Sequence, residues 1–236
     1  MAITKVDKTL LEATGTADAT TYLRGDGAWS AIASAGYTSV HHTTAASSTY
    51  AVPAGITKLL VFITGGGGSG GAGGSNYGSG GGAGTPVIAH VTVVPTDTIT
   101  IAIGAGGPAQ GSASTDGTAG GNSTFTHTSG SGTFDTITAP GGALGKYNAA
   151  ITGPTAGTVG ASNDGISVLG GWGGNEIAGN GGISFWGGGG QSTAPGKQQA
   201  QDATAYGAGG GGGSSTTSYH ASGAGQSGIC FIMEFK

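Results

Sequence analysis

Lys58-Leu-Leu-Val-Phe-Ile63 runs into Gly65–Gly84, GGGGSGGAGGSNYGSGGGAG, and out into Pro86-Val-Ile-Ala-His-Val-Thr-Val-Val94. Two β-forming segments thus flank twenty residues with almost no side-chain bulk. Glycine loses more backbone entropy on folding than any other residue. A chain with 55 glycines among 236 residues either leaves these blocks unfolded or uses a backbone that only glycine tolerates. The blocks recur at Gly104–Gly121, Gly170–Gly190 and Gly207–Gly213, each between strand-like segments.

Those segments set the fold class. Thr49–Ile63 reads as a strand, a Pro-Ala-Gly turn and a second strand. That second strand, apolar on both faces, belongs in the centre of a sheet. Thr98-Ile-Thr-Ile-Ala-Ile103 alternates, so one face is buried and one is wet. Pro95-Thr-Asp97 gives a hairpin-length connection before it. Ser123–Phe125, Phe134–Thr138 and Ile229–Phe235 complete the set. No segment carries a helical stripe. The expectation is an all-β, jelly-roll-like β-sandwich.

Within the Gly blocks, Gly67-Gly-Ser69, Gly70-Gly-Ala72 and Gly73-Gly-Ser75 have a period of three. A polyproline-II-type helix has about three residues per turn and no internal hydrogen bonds. Glycine at two of three positions lets such helices approach at backbone distance and bond to one another. The blocks are expected to pack as polyglycine-II helices, each with one side-chain row, here Ser69, Ala72 and Ser75. Aromatics inside the blocks (Tyr77, Trp172, Phe185, Trp186, Tyr206) are unlike a flexible linker.

Three regions follow. Residues 1–35 hold a turn signal, Asp26-Gly27, between Tyr22-Leu23 and Trp29, and read as a small hairpin or extended segment. Residues 36–48 are small and polar and read as a linker. The glycine-rich β domain is 49–236.

Composition narrows the function. Charged residues are 8% of the chain and the formal net charge is −4, which lacks the basic stripe of a nucleic-acid binder. Met1–Lys8 has no apolar core of a secretion signal. No stretch reaches the ~18 apolar residues of a spanning helix. Cys230 is the single cysteine and sits in an apolar strand, so it reads as a buried thiol. Gly65–Gly70 follows a strand as a phosphate loop would, but no helix or Lys-Ser/Thr follows it. Arg24-Gly25-Asp26 reads as a turn. Carboxylates are scattered singly, with Asp164 and Glu176 loosely flanking Trp172. A glycosidase needs a pair held about 5–10 Å apart, and no serine elbow is evident. The expectation is a non-enzyme without a cofactor. His41-His42 is the weak metal candidate. Adjacent residues of a strand point to opposite faces, so one chain cannot readily use both.

Several stretches resemble one family. Val52-Pro-Ala-Gly-Ile-Thr-Lys-Leu-Leu is similar to its "V-P-x-G-V-x-x-L" opening. Val93-Val-Pro-Thr-Asp-Thr-Ile-Thr-Ile-Ala-Ile-Gly-Ala-Gly-Gly107 resembles "V-x-P-G-D-T-x-x-I-x-V-G-x-G-G", with Thr96 where the family has Gly. Gly120-Gly-Asn-Ser-Thr-Phe125 and Gly223–Ile232 are similar to its "G-G-x-S-x-F" and closing strand. Thr64 stands where a small residue is usual. The family is the glycine-rich domain of bacteriophage tail-fibre and receptor-binding proteins. Thr21-Tyr-Leu-Arg-Gly-Asp-Gly-Ala-Trp29 also resembles tail-fibre shaft segments. The resemblance implies a homotrimeric adhesin of the virion, made in the host cytoplasm. It would be joined to an upstream tail or fibre protein through residues 1–35 and would bind a host glycan or outer-membrane protein. Trp172, Phe185, Trp186, Tyr147, Tyr206 and Tyr219 are the candidate receptor contacts. A purely structural fibre connector is the other reading.

Overall fold

The computed structural model describes residues 46–74, 76–111, 114–149, 157–174, 179–192, 199–213 and 219–235 in full, with the backbone of 21–23, 29–31 and 38–42. The chain divides into two compact units, Met1–Gly36 and Tyr37–Lys236. In the first, β1 (Thr21–Leu23) and β2 (Trp29–Ala31) form an antiparallel pair. The Arg24-Gly25-Asp26 turn between them lies outside the described residues.

The second unit is a β-sandwich. One sheet has the order β10-β6-β5-β11-β3 and the other β4-β7-β8-β9. The strands are β3 (Thr38–His42), β4 (Ser47–Ala51), β5 (Lys58–Thr64), β6 (Pro86–Thr92), β7 (Thr98–Ala102), β8 (Ser123–Ser129), β9 (Ile137–Ala139), β10 (Asp164–Ser167) and β11 (Ile229–Phe235). All pairings within the two sheets are antiparallel. Strand β3 and the start of β4 fall within 36–48, so that polar stretch supplies backbone to both sheets as well as a connection.

Alternation fixes the core. Leu59, Val61 and Ile63 of β5, Val87, Ala89 and Val91 of β6, and Cys230 and Ile232 of β11 face inward from the first sheet. They meet Ile99, Ile101, Phe125 and Ile137 of the second. Full burial of such side chains is worth about 1.5–3 kcal/mol each. Two buried polar links join the sheets: the Tyr50 hydroxyl donates to Glu234 Oε1 at 2.7 Å, and the Ser123 hydroxyl donates to the Thr64 carbonyl at 2.8 Å.

The β6–β7 connection is a turn closed by the Asp97 N–H on the Val94 carbonyl at 3.0 Å. Its third residue, Thr96, has φ +77°, as a type II turn requires. This is the position where the tail-fibre pattern carries glycine. Asp97 is fully buried. Its carboxylate accepts the N–H groups of Val94 (2.9 Å) and Gly132 (3.1 Å), and His127 Nε2 stands 3.8 Å away. Burial pushes the Asp97 carboxyl up, but those N–H groups and the imidazole outweigh it and hold it below the usual carboxylate range.

Beyond one end of the sandwich, the glycine runs form a second body held together by backbone. Gly66, Ser69 and Ala72 donate to the carbonyls of Gly121, Thr118 and Thr115. Gly67, Gly70 and Gly73 donate to Gln226, Gly223 and His220. Gly68 and Gly71 donate to Gly82 and Ser79. Every third N–H thus reaches the same neighbouring run. The carbonyls behave alike: Gly66 and Ser69 accept from Gly142 and Gly145, Gly68 and Gly71 from Gly210 and Gly213, and Gly67 from Gly107. The run 65–73 is therefore ringed by neighbours on all sides. Residues 78–85 repeat the pattern, with Gly78, Gly81 and Gly84 donating to Gly213, Gly210 and Gly207, and Ser79, Gly82 and Thr85 to Lys146, Ala143 and Pro140.

This density dictates the composition. A Cβ added to Gly66, Gly67 or Gly68 would overlap the carbonyl oxygens of Ala105, Ala208 or Ala143. Side chains survive only where a gap exists. Ser69 is buried and accepts the Thr118 N–H through its hydroxyl at 2.8 Å, and Ala72 is also fully buried. The expected side-chain row therefore faces a neighbouring run over these two positions; Ser75 lies outside the described residues.

Candidate functional site

Five of the six candidate aromatics fall into two groups, and the hydrogen-bond ladder decides which; the sixth, Trp172, stands between them. Along 65–73 the residue number rises with distance from the sandwich, and along 78–85 it falls. Residues bonded near Gly73 and Gly78 therefore stand at the far tip. Those bonded near Thr64 and Thr85 stand at the junction.

Tyr147 and Tyr219 belong to the tip. Tyr147 is bridged to Gly78, and His220, next to Tyr219, to Gly73. The Tyr147 N–H donates to Asp116 Oδ1 at 2.8 Å, and Lys146 Nζ sits 2.8 Å from Asp116 Oδ2. The Lys146 ammonium, then the Tyr147 N–H, hold the Asp116 carboxyl below its ordinary value. Tyr219 is 41% exposed and its hydroxyl donates to the Gln110 carbonyl at 3.2 Å. Burial raises that phenol above its usual range, so it is a neutral donor–acceptor at neutral pH. Tyr77, which the residue pattern did not single out for binding, joins this group through its carbonyl, which accepts from Asn148 N–H at 2.9 Å. The tip thus combines phenol rings with an ion pair, a set suited to polar ligands that also offer a flat apolar face.

Phe185, Trp186 and Tyr206 belong to the junction. Ser184 and Gly187 exchange backbone hydrogen bonds across a two-residue turn. Gly187 has φ +151°, a value that disfavours a side chain. The turn presents Phe185 and Trp186 with ring centroids 5.1 Å apart, edge to face. Trp186 is not free to meet a receptor with its indole N–H: Nε1 donates to Thr64 Oγ1 at 2.9 Å. That bond explains why a threonine stands before the first Gly block. These side chains overhang the outer face of β5 and β11, where Phe62 and Phe231 meet edge to face at 5.8 Å. Together with Tyr206, Ile229 and Met233 they line an apolar groove of about 380 Å³. Trp172, 61% exposed, lies partway along the bundle on the run that follows β10. The groove floor was not singled out in the sequence. Its signal was present: Phe62, Phe231 and Met233 alternate with core positions of strands apolar on both faces.

Several of the remaining chemistry-bearing residues have structural roles. Cys230 is fully buried and burial pushes its thiol far above the usual range. Asp135 accepts the Ser162 N–H at 2.8 Å, and Asp202 accepts the Ala224 N–H at 2.7 Å. Asp164 pairs in register with His90 and with Lys58 and Ser162 lines a smaller groove of about 220 Å³. Glu176 lies outside the described residues. His41 and His42 occupy successive positions of β3, opposite Phe231 and Cys230, hence on opposite faces of the sheet; their side chains lie outside the described residues. Among the described residues no three His, Cys, Asp or Glu side chains gather in one place.

A family model described as a glycine-rich domain matches residues 43–233. It spans most of the chain, and the chain belongs to that family. No curated protein matches it.

Proposed function

We propose that this glycine-rich domain is the receptor-binding part of a bacteriophage tail fibre. It would attach the virion to the host surface by shape, hydrogen bonding and aromatic contact, without chemistry. The tail-fibre motifs quoted above support the phage context. One structural observation carries the binding role: a body fastened mainly by backbone ends in a tip that holds Tyr77, Tyr147, Tyr219 and the Lys146–Asp116 pair. The three-residue period of its hydrogen bonds is that of a polyglycine-II bundle, and such a bundle is a rigid post. Residues 1–35 join it to the upstream tail or fibre protein, and three copies associate so that weak contacts add by avidity. The ligand class is a host glycan or an outer-membrane protein.

Purified full-length protein is expected to bind host cells and to block adsorption of the phage. Tyr219→Ala, at an exposed position, should weaken cell binding about tenfold, since a stacking contact is worth roughly 1–3 kcal/mol, and lower the thermal midpoint only slightly through loss of the bond to Gln110. Failure of the unaltered protein to bind cells or block adsorption would leave the structural connector as the reading.

A further inference from the structure

Among the described residues, the outer face of the first sheet is covered only in part: Phe185, Trp186 and Tyr206 overhang β5 and β11, while Ile166 on β10 is exposed. Ile166, Ile88, Phe62 and Phe231 stand in register across β10, β6, β5 and β11. They alternate with core residues and so share the outward side. An apolar row spanning four strands is the pattern of a sheet buried on both faces, yet only the inner face meets the second sheet.

Exposure continues from this row onto the bundle. Seven of the nine exposed large apolar residues among those described lie between Ile166 and Tyr206, at 37–67% exposure. Val168 is tied to β6 through Pro86, and the run carrying Trp172 is tied to Ile183, beside the Phe185 turn. Three of the seven are aromatic, at about 150–250 Å² each when fully exposed, and with the four aliphatic side chains the set presents on the order of 700 Å² at these exposures. That is at or above the largest patch a monomer usually shows and approaches one side of a standard interface. Lys58 and Asp164 share the outward side with this row at the far end of the strands, whereas the groove beside the Phe185–Trp186 turn has no charged residue in its lining, and charge depletion marks the centre of an interface. A sugar would need polar groups to orient it. The Trp186 N–H is already spent on Thr64, and the Tyr206 hydroxyl is the one polar side-chain group on the groove wall.

From this row, the exposed apolar area that adjoins it and the uncharged groove beside it, we infer that the outer face of β10-β6-β5-β11, with the Phe185–Trp186 turn, is the surface through which copies of this chain associate. The inference rests on the oligomeric part of the reading above and places the interface away from the tyrosine tip. Three such faces turned toward a common axis would each cover part of the neighbouring one.

The test is the mass of the full chain by sedimentation from about 1 to 100 μM, the upper range of weak specific association. Ile166→Lys and Phe185→Ser alter exposed positions and leave the Trp186–Thr64 bond in place. The expected result is an assembled unaltered protein whose dissociation constant rises at least tenfold in either variant. Circular dichroism and thermal profile at a concentration where both are monomeric should match, and Tyr219→Ala should leave the mass unchanged. Radical footprinting of the unaltered protein supplies a check independent of the variants' folding: Phe185 should be protected when assembled and exposed on dilution. A monomer at every concentration overturns the inference together with the oligomer. An assembled protein in which neither variant moves the equilibrium and Phe185 stays unprotected overturns the inference alone. Loss of cell binding by Tyr219→Ala in either case belongs to the tip and reports on the receptor reading.

Discussion

The sandwich and the glycine bundle are two solutions to one problem, the burial of backbone polar groups. In the sandwich, strands satisfy N–H and C=O groups in ladders and side chains such as Phe125 and Ile101 fill the space between sheets. In the bundle the runs approach so closely that backbone itself is the filling. Residues 65–73 and 78–85 are buried throughout, yet few of them carry a side chain. Stability in the first region comes mainly from apolar area removed from water. In the second it comes from hydrogen bonds that cannot be left unmade in a dry interior and from close contact of backbone atoms. The two regions should therefore fail in opposite directions. One is harmed by removing atoms and the other by adding them.

Truncation of the sandwich core is the larger effect. Phe125→Ala should cost about 4 kcal/mol, read from the urea midpoint. Gly68→Ala adds one methyl group, which would overlap the Ala143 carbonyl oxygen, and should cost about 3 kcal/mol. Gly188→Ala is the control. No atom lies within 4 Å of a Cβ there, and the change should stay within about 0.5 kcal/mol. Equal tolerance at Gly68 and Gly188 would erase the contrast between the regions.

Acid separates the regions next. The folded-state pKa of Asp97 is depressed, so its contribution is complete above the unfolded value of about 4 and is lost as pH falls through the lower folded value. Asp97→Asn should cost about 2 kcal/mol at pH 7. The cost should shrink as pH falls below about 4, where the unfolded carboxyl takes up its proton first, and disappear only below the lower folded value, where the native carboxyl protonates too. Urea titrations at pH 7 and pH 3 check this. A pH-independent difference between the two proteins would contradict it.

Apart from the Gly188 control, Thr96 gives the smallest effect, and it has the opposite sign. A β-branched residue at φ +77° costs about 1–2 kcal/mol that glycine avoids, partly offset by the greater freedom of glycine in the unfolded chain. Thr96→Gly should stabilise by about 0.5–1 kcal/mol, raising the thermal midpoint by a few degrees.

Much of the sandwich was legible because side-chain alternation reports it. Thr98–Ala102 and Ile229–Phe235 carry their pattern openly. Strand β10 was not, since Asp164-Gly-Ile-Ser167 has a single large apolar residue and owes its place to pairing with β6. Strand β3 was hidden for the same reason: Thr38-Ser-Val-His-His42 is mostly polar, and pairing with β11 recruits it. In the bundle, the period of three in Gly-Gly-X reappears as the period of the hydrogen bonds. Which run neighbours which was not legible, because glycine carries no side chain to encode a partner. The division of the aromatics into tip and junction depends on that connectivity. Tyr147 and Trp186 looked alike in the sequence and lie at opposite ends of the bundle.

The central claim is that the glycine runs are a folded body fastened by their own backbone. Native-state amide hydrogen exchange, resolved by residue, tests it most directly. The account predicts that Gly66–Ala72 and Gly78–Gly84 exchange as slowly as Leu59–Ile63, with protection lost only on global unfolding. Exchange of those glycine amides at unprotected rates, while the strands stay protected, would contradict it.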